Sequence, residues 1–85
     1  MEILISPKAQ KQLKALPKEV QDRIKEDFIQ LRDGDITSSL GIKKSRGFKN
    51  HYRFRVGNYR VRFEVENSGK IKIYWVGKRS KAYDD

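Results

Sequence analysis

The stretch YRFRVGNYRVRF, from Tyr52 to Phe63, alternates apolar and cationic residues on both sides of a Gly-Asn pair. Strict alternation is typical of a β-strand that buries one face and exposes the other. The pair Gly57-Asn58 fits a two-residue hairpin turn, because glycine, and less readily asparagine, accepts a positive φ. The stretch therefore predicts a β-hairpin in which Val56 lies opposite Tyr59.

This register places four arginines on one face of the hairpin. Arg55 is expected opposite Arg60, and Arg53 opposite Arg62. Like charges directly opposed on a sheet are destabilising, so folding alone does not explain four guanidinium groups on one small patch. We interpret the patch as a phosphate-binding surface, since the planar arginine fork matches phosphate oxygens two at a time.

The positive charge is concentrated in the second half of the chain. Residues 1–42 hold seven Lys or Arg and seven Asp or Glu, whereas residues 43–85 hold thirteen basic and four acidic residues. The formal net charge of +9 therefore comes entirely from the half that contains the hairpin. Such asymmetry indicates a polyanionic partner, with nucleic acid ahead of an anionic membrane surface.

Length and composition indicate one small domain, residues 1–85, without room for a second core. No segment approaches the roughly 18 apolar residues of a membrane helix. The N-terminus resembles a strand followed by a helix rather than a signal peptide. Because the chain has no cysteine, it has neither a disulfide framework nor a thiolate metal site, and we expect a protein of the reducing cytoplasm.

Two helices are predicted after a short apolar strand at residues 1–5 (MEILI). Ser6 and Pro7 form a helix start, since serine can cap a backbone N–H and proline suits the first helical position. Pro17 ends this helix and begins the next, which Asp33-Gly34 stops. Apolar stripes at helical spacing predict that both helices pack on a sheet; these residues are Ala9, Leu13, Leu16, Val20, Ile24, Phe28 and Leu31.

A third C-terminal strand is predicted after the hairpin, through a turn at residues 67–69 (NSG). The basic connection before the hairpin, residues 42–50, is expected to add a little extended structure at its start. The expected buried pairs are Val65 with Ile71, Phe63 with Ile73 and Val61 with Trp75, and Glu64 is expected to meet Lys72 on the outer face. The order β-α-α-β-β-β predicts an α+β domain with a helical hairpin on a mostly antiparallel, four-stranded sheet.

The residue set narrows the chemistry that a nucleic-acid enzyme of this sequence can use. Two-metal catalysis needs clustered carboxylates, and the acidic residues of the basic half do not converge by their spacing. The chain has no cysteine to act as the nucleophile of a catalytic triad. The single histidine, His51, has no motif around it, so a surface role is the plainer interpretation. No glycine-rich phosphate loop is present. We therefore expect neither a metal nor a cofactor.

One route to RNA cleavage needs no metal, because RNA carries its own nucleophile, the 2′-hydroxyl. The protein must align that group, accept its proton, neutralise the charge that develops on the phosphate and protonate the 5′-oxygen. Nearby positive charge favours the phenolate form of tyrosine. Tyr83 lies beside Lys81 and is expected near Arg79 and Arg60, so it is the candidate base; simple packing of a tail residue is the alternative.

Two segments, YRFRVGNYRVRFEV and IYWVGKRSKAY, together resemble the RelE/ParE toxin superfamily of toxin–antitoxin systems. The family pattern is a hairpin that reads roughly Y-(R/K)-(V/I/L)-(R/K)-x-G-x-Y-R, then a strand closing in G-(H/K)-R and a short tail with a tyrosine. The match runs from Tyr52 to Tyr83. The resemblance implies the RelE-like microbial ribonuclease fold and cleavage of mRNA in the ribosomal A site through the 2′-hydroxyl.

The resemblance also implies roles for individual residues. Arg60 takes the place of the family arginine that stabilises the phosphate transition state. Arg79 matches a family arginine that stabilises the transition state or protonates the leaving group. Tyr83 matches a tail tyrosine that acts as a base or stacks on a substrate base. Arg53 and Arg55 stand where RelE has two lysines. Because arginine stays protonated and is a poor proton acceptor, this departure puts more weight on Tyr83.

Further cations are expected to hold the RNA backbone by charge; they are Arg62, Lys43, Lys44, Arg46 and Lys49. The resemblance implies a cognate antitoxin encoded alongside, and an acidic partner would suit the net charge of +9. Substrate and antitoxin would therefore both be recognised through the basic half of the chain.

Two alternative functions stay open. The first is a DNA gyrase inhibitor that acts by binding without catalysis, like ParE-type members; the presence of Arg60, Arg79 and Tyr83 together favours the ribonuclease. The second is a non-toxic basic RNA-binding module, indicated by aromatic residues interleaved with cations. The predicted register places these aromatics on the apolar face, however, where they form core rather than base-stacking platforms; they are Tyr52, Phe54, Tyr59 and Phe63.

Overall fold

Two helices lie between the first strand and the strands of the C-terminal half. The structure is a computed structural model that describes residues 2–33, 41–45, 47 and 49–78. In chain order its elements are β1 (Ile3–Ile5), α1 (Pro7–Lys14), α2 (Lys18–Arg32), β2 (Lys43–Lys44), β3 (His51–Val56), β4 (Tyr59–Val65) and β5 (Ile71–Lys78). Both predicted helices and the three predicted C-terminal strands are therefore confirmed.

The hairpin of β3 and β4 has the predicted register. Val56 lies opposite Tyr59, and the pairing continues without a break to His51 opposite Glu64. The left-handed residue of the turn is Gly57, with φ of 60°. Positive φ at the first central residue is the property of a type II′ turn, whose twist matches that of the flanking strands.

The sheet has the order β1-β5-β4-β3-β2, with β1 parallel to β5 and the other neighbours antiparallel. The predicted α+β class is confirmed, but the sheet has five strands where four were predicted. The additional strand is β2, whose residues Lys43 and Lys44 pair with Arg53 and Tyr52. The start of the basic connection thus extends the edge of the sheet, as its expected extended structure indicates.

The helices begin and pack as their sequence predicts. Ser6 caps α1, since its Oγ accepts a hydrogen bond of 3.1 Å from the backbone N–H of Ala9. Pro17 separates the helices, and α2 ends at Arg32, followed by the capping residue Asp33, whose N–H donates to the carbonyl of Ile29. Gly34, the second residue of the predicted stop, lies outside the described residues. No helix in the described part of the chain is both long and apolar enough to cross a membrane.

One hydrophobic core lies between the helices and the inner face of the sheet. Its buried members are Ala9, Leu13, Ile24, Phe28, Leu31, Phe54, Val56, Val61, Phe63, Ile71, Ile73 and Val76. Burying a side chain such as phenylalanine or leucine stabilises the fold by roughly 1.5–3 kcal/mol, so this layer supplies the main favourable term. The outer face of the sheet is left for the polar residues of the strands.

The pairing of β4 with β5 departs from the prediction at one point. Two expected pairs are confirmed, Val65 with Ile71 and Phe63 with Ile73. Val61 lies opposite Val76, however, and not opposite Trp75, because β5 carries one extra residue, Tyr74. Such a β-bulge reverses the facing of the residues that follow it. Val76 therefore enters the core, 1% exposed, while Trp75 turns to the outer face opposite Arg62.

Candidate nucleic-acid interface

The arginines of the hairpin form two rows across the outer face of the sheet. Residues paired on neighbouring strands share a face, and both predicted oppositions, Arg53 with Arg62 and Arg55 with Arg60, are confirmed. The first row is Lys43, Arg53, Arg62 and Trp75, and the second is Arg55, Arg60 and Gly77. The sheet thus brings together the arginines that the sequence placed on one patch.

The four arginines differ in burial. Arg55 is exposed, whereas Arg53, Arg60 and Arg62 are half-buried. A half-buried cation is less well screened by water, so a phosphate oxygen beside it is attracted more strongly than at the open surface. The Nη1 of Arg53 donates a hydrogen bond of 3.1 Å to the carbonyl of Lys44, which ties this guanidinium to β2.

Trp75 adds an aromatic surface to the arginine rows. The guanidinium carbon of Arg62 lies 4.6 Å from the centre of the indole ring, within the range of a cation–π contact. A Cβ at Gly77 would come within 2.7 Å of the indole carbons, so the ring occupies the space that a side chain there would need. The sequence signal for this arrangement is the run Tyr74-Trp75-Val76, in which the alternation of β5 breaks.

The predicted RNA-gripping lysines do not all share the face of the arginines. Lys43 is opposite Arg53 and shares its face, whereas Lys44 is opposite Tyr52, on the other face of the edge strand. Lys49 is exposed in the turn before β3. Arg46 lies outside the described residues. The basic surface therefore continues around the β2 edge of the sheet.

The predicted meeting of Arg60 with Arg79 and Tyr83 stays a prediction. Arg79 and Tyr83 lie outside the described residues. The strand that precedes them is described to Lys78, which is opposite Tyr59, and Gly77 is opposite Arg60. The described part of β5 thus lies alongside Arg60, and it ends one residue before Arg79 in the sequence.

His51 has neighbours that its sequence context did not indicate. Its Nε2 lies 3.1 Å from Oε2 of Glu64, the residue opposite it on β4. Its Nδ1 lies 3.0 Å from the hydroxyl of Tyr74, whose ring meets the imidazole edge-on with centroids 5.4 Å apart. Burial raises the pKa of Tyr74; the charge of Arg62 lowers it by a smaller amount, and Glu64 raises it further. The expected neighbour of Glu64, Lys72, is opposite it as predicted.

The aromatic residues of the hairpin belong mainly to the core. Phe54 and Phe63 are buried, 1% and 0% exposed. Tyr52 stacks on Phe63 with centroids 5.7 Å apart and packs against the core, and Tyr59 is half-buried. Rings that are committed to the interior do not provide the stacking platforms of a single-strand RNA-binding module.

The carboxylates that the structure describes near the arginine rows do not form a metal-binding group. Glu64 is engaged with His51, and Glu66 is exposed in the turn before β5. In the described ranges, no three His, Cys, Asp or Glu side chains are grouped so that they could hold a metal ion. That the site works without metal stays a prediction.

Comparison with known proteins agrees with this fold. The family model described as the ParE toxin of type II toxin–antitoxin systems, parDE, matches residues 3–83. Toxin RelE3 of Methanocaldococcus jannaschii is 36% identical over 86 residues, covering 99% of this chain and 97% of that protein. The toxin in the crystal structure of a RelB–RelE antitoxin–toxin complex from Methanococcus jannaschii is 34% identical, with a TM-score of 0.83 and 95% of each chain covered.

The toxin of the archaeal RelE–RelB complex from Pyrococcus horikoshii is 28% identical, with a TM-score of 0.80 and coverage of 95% of this chain and 97% of that chain. These similarities extend over nearly the whole chain and define its class, a toxin of a toxin–antitoxin system. Within that class, the chain belongs to the RelE/ParE toxin superfamily and is RelE-like.

Proposed function

We propose that this toxin is a ribosome-dependent mRNA endoribonuclease of the cytoplasm that cleaves RNA through its own 2′-hydroxyl. The observation that carries the proposal is that each of the two rows on the outer face of the sheet contains a pair of directly opposed arginines. Arg60, in the second row, is half-buried. Opposed cations disfavour the sheet in isolation. A phosphate placed between them removes that repulsion, so the surface is suited to an RNA backbone.

The arginines would supply charge neutralisation and positioning. Arg60 would contact the scissile phosphate, where two N–H donors can stabilise the charge that develops on its oxygens. Arg62 would contact the same phosphate from the first row, and Arg53 and Arg55 would hold the flanking phosphates. Arg79 would stabilise the transition state, and the lysines at the β2 edge would grip the backbone.

A cleavage assay tests the proposal. Purified protein incubated with translating ribosomes should cut mRNA in the A site and leave 2′,3′-cyclic phosphate ends. Arg60→Ala should lower the cleavage rate by about 100-fold or more, in the range found for loss of one oxyanion donor, while ribosome binding falls much less. Arg32→Ala on α2 is the matched control and should leave the rate unchanged. Intact mRNA with the wild-type protein would contradict the proposal.

A cognate antitoxin is the proposed partner. The relatives from Methanococcus jannaschii and Pyrococcus horikoshii were solved as complexes of RelE with RelB. The net charge of +9 favours a partner segment with acidic residues. Co-expression with the product of the neighbouring gene should yield a stable complex that abolishes cleavage; a product that neither binds nor inhibits would contradict this assignment.

The second candidate function is inhibition of DNA gyrase without catalysis. It is favoured by the match of residues 3–83 to the ParE toxin family. A supercoiling assay separates the two functions, because the ribonuclease leaves gyrase activity unchanged. Loss of supercoiling together with intact mRNA would replace the first proposal by the second.

A further inference from the structure

Three titratable side chains from three different strands form a hydrogen-bonded chain beside the arginine rows. Glu64 on β4 contacts Nε2 of His51 on β3, and Nδ1 of His51 contacts the hydroxyl of Tyr74 on β5. Tyr74 reaches across because it is the extra residue of the bulge. We refer to Glu64, His51 and Tyr74 as the relay cluster.

The hydrogen bonds define which nitrogen of the imidazole carries the proton. An ionised carboxylate only accepts hydrogen bonds, so the contact with Glu64 requires a proton on Nε2 of His51. In the neutral ring Nδ1 is then the acceptor, and the hydroxyl of Tyr74 donates to it. A carboxylate that orients an imidazole, which in turn accepts a hydroxyl proton, is the arrangement of a general-base relay.

The relay cluster adjoins the arginine rows. Arg62 is two residues from Glu64 on the same strand face, and its guanidinium stacks on Trp75, which follows Tyr74. The charge of Arg62 also acts on the hydroxyl of Tyr74. Alternate residues of a strand lie about 7 Å apart, within the reach of an arginine side chain, so the scissile phosphate that Arg60 contacts would also be bound by Arg62 and lie near the phenol of Tyr74.

We propose that the relay cluster is the general base of RNA cleavage, with Tyr74 contacting the attacking 2′-hydroxyl and His51 and Glu64 acting through it. This inference rests on the proposed endoribonuclease function. It supplies a proton acceptor from described residues where Arg53 and Arg55 cannot accept a proton, and of the two roles expected for Tyr83 it leaves stacking on a substrate base.

The proton transfers balance as follows. The 2′-O–H bond breaks as its proton passes to Oη of Tyr74, while the phenolic proton passes to Nδ1 of His51 and Glu64 stabilises the imidazolium. The 2′-oxygen bonds to phosphorus, the bond from phosphorus to the 5′-oxygen breaks with its electron pair, and that oxygen takes a proton from water. The imidazolium then releases its proton to water. The products are a 2′,3′-cyclic phosphate and a 5′-hydroxyl.

The raised pKa of Tyr74 agrees with this sequence of transfers. A phenol has an ordinary pKa of about 10, and burial raises the pKa of Tyr74 further, so the hydroxyl acts by passing a proton on to His51 rather than as a standing phenolate. Glu64 contacts His51 directly, and the strand pairing places further described charged residues on the same face of the sheet: Arg62 on β4, Lys72 on β5, Arg53 on β3 and Lys43 on β2.

Single-turnover cleavage of ribosome-bound mRNA tests the cluster. His51→Gln and Tyr74→Phe should each lower the rate by about 100-fold, the lower end of the range for general-base catalysis, without weakening binding of a 2′-deoxy substrate analogue. Glu64→Gln should lower it less, because the imidazolium loses its neighbouring negative charge but the proton acceptor itself remains. Lys70→Gln, in the turn before β5, is the control. Thermal melts show whether each variant folds.

A second measurement does not depend on activity. The chain has one histidine, so the ¹⁵N NMR spectrum of labelled imidazole reports His51 alone. We expect the Nε2-protonated tautomer in the free protein and a change in both nitrogen signals when the 2′-deoxy analogue binds. The opposite tautomer, or signals that do not respond to the analogue, would overturn the relay.

The outcomes separate this inference from the function on which it rests. If the wild-type protein leaves mRNA intact, the proposed function fails and the relay fails with it. If the wild-type protein cleaves and His51→Gln and Tyr74→Phe retain its rate and pH profile, the relay alone is overturned and the cluster only links three strands.

Discussion

Gly77 and Trp75 depend on each other at the scale of single residues. The indole of Trp75 covers the position that a side chain at residue 77 would occupy, and its stacking with Arg62 holds it there. Glycine at this position is therefore required by space rather than by backbone conformation, since the glycines with positive φ in the described part of the chain are others.

Gly77→Ala tests this dependence. The new Cβ would lie 2.7 Å from the indole, so we expect a loss of about 1–3 kcal/mol in the free energy of unfolding, as for other overpacked sites. Urea unfolding followed by fluorescence measures it, because Trp75 is the single tryptophan.

The double variant supplies the control. With Trp75→Thr in place the clash is removed, and Gly77→Ala should change the free energy of unfolding by less than about 0.5 kcal/mol, as at ordinary surface sites; far-UV circular dichroism then replaces fluorescence. An equal loss in both backgrounds would contradict the steric explanation.

At the scale of secondary-structure elements, the hairpin and the bulge together determine which side chains lie on the outer face of the sheet. The turn at Gly57 sets the register that opposes the arginines. The bulge at Tyr74 turns Trp75 outward and carries the hydroxyl of Tyr74 to His51. A change in either the turn or the bulge would alter which side chains contact each other across the strands.

Gly57→Ala tests the turn. Residue 57 has φ of 60°, which costs a residue with a Cβ about 1–2 kcal/mol. Among the described residues a Cβ there meets only Arg23, at an ordinary distance of 3.7 Å, so the loss should come from backbone strain. Gly57→Asn should cost less, because asparagine visits positive φ more readily. Equal losses of unfolding free energy for the two variants, measured by urea unfolding, would refute this explanation.

At the scale of the whole molecule, the hydrophobic core and the positive charge of the hairpin lie on opposite faces of the sheet. The helices and the inner face of the sheet enclose the core, and the net charge of +9 comes from the half that forms the hairpin and its outer face. An RNA backbone approaching this face releases counterions in proportion to the phosphates that it neutralises.

The salt dependence of RNA binding tests this separation. Arg55→Ala and Lys43→Ala should each reduce the slope of log K against log salt concentration by about 0.7, the value for one phosphate of a single strand. Lys18→Ala, which removes an exposed cation paired with Asp22 on α2, should leave the slope unchanged. Fluorescence anisotropy with a labelled oligonucleotide gives the slopes. A slope that changes equally for all three variants would show binding without a preferred face.

Much of the fold was determined by the sequence alone. The alternation around Gly57-Asn58 predicted the hairpin and the opposition of its arginines, and the helical stripes predicted the layer packed on the sheet. The resemblance carried by residues 52–83 predicted the toxin family. The hairpin and the helical layer follow from local periodicity and local turn chemistry, which a single segment contains in full, whereas the family followed from the resemblance alone.

Only the tertiary structure decided the bulge and the contacts that it creates. Trp75 was expected in the core, and His51 was expected to be a surface residue. Whether β5 places Trp75 or Val76 in the core depends on how each fits against β4 and against α1, and α1 lies far away in sequence: the N–H of Val76 donates to Oε1 of Gln12, 64 residues earlier. The meeting of His51 with Tyr74 likewise spans three strands. Alternation within one strand carries no information about such packing, because it records which residues are apolar and not what lies opposite them.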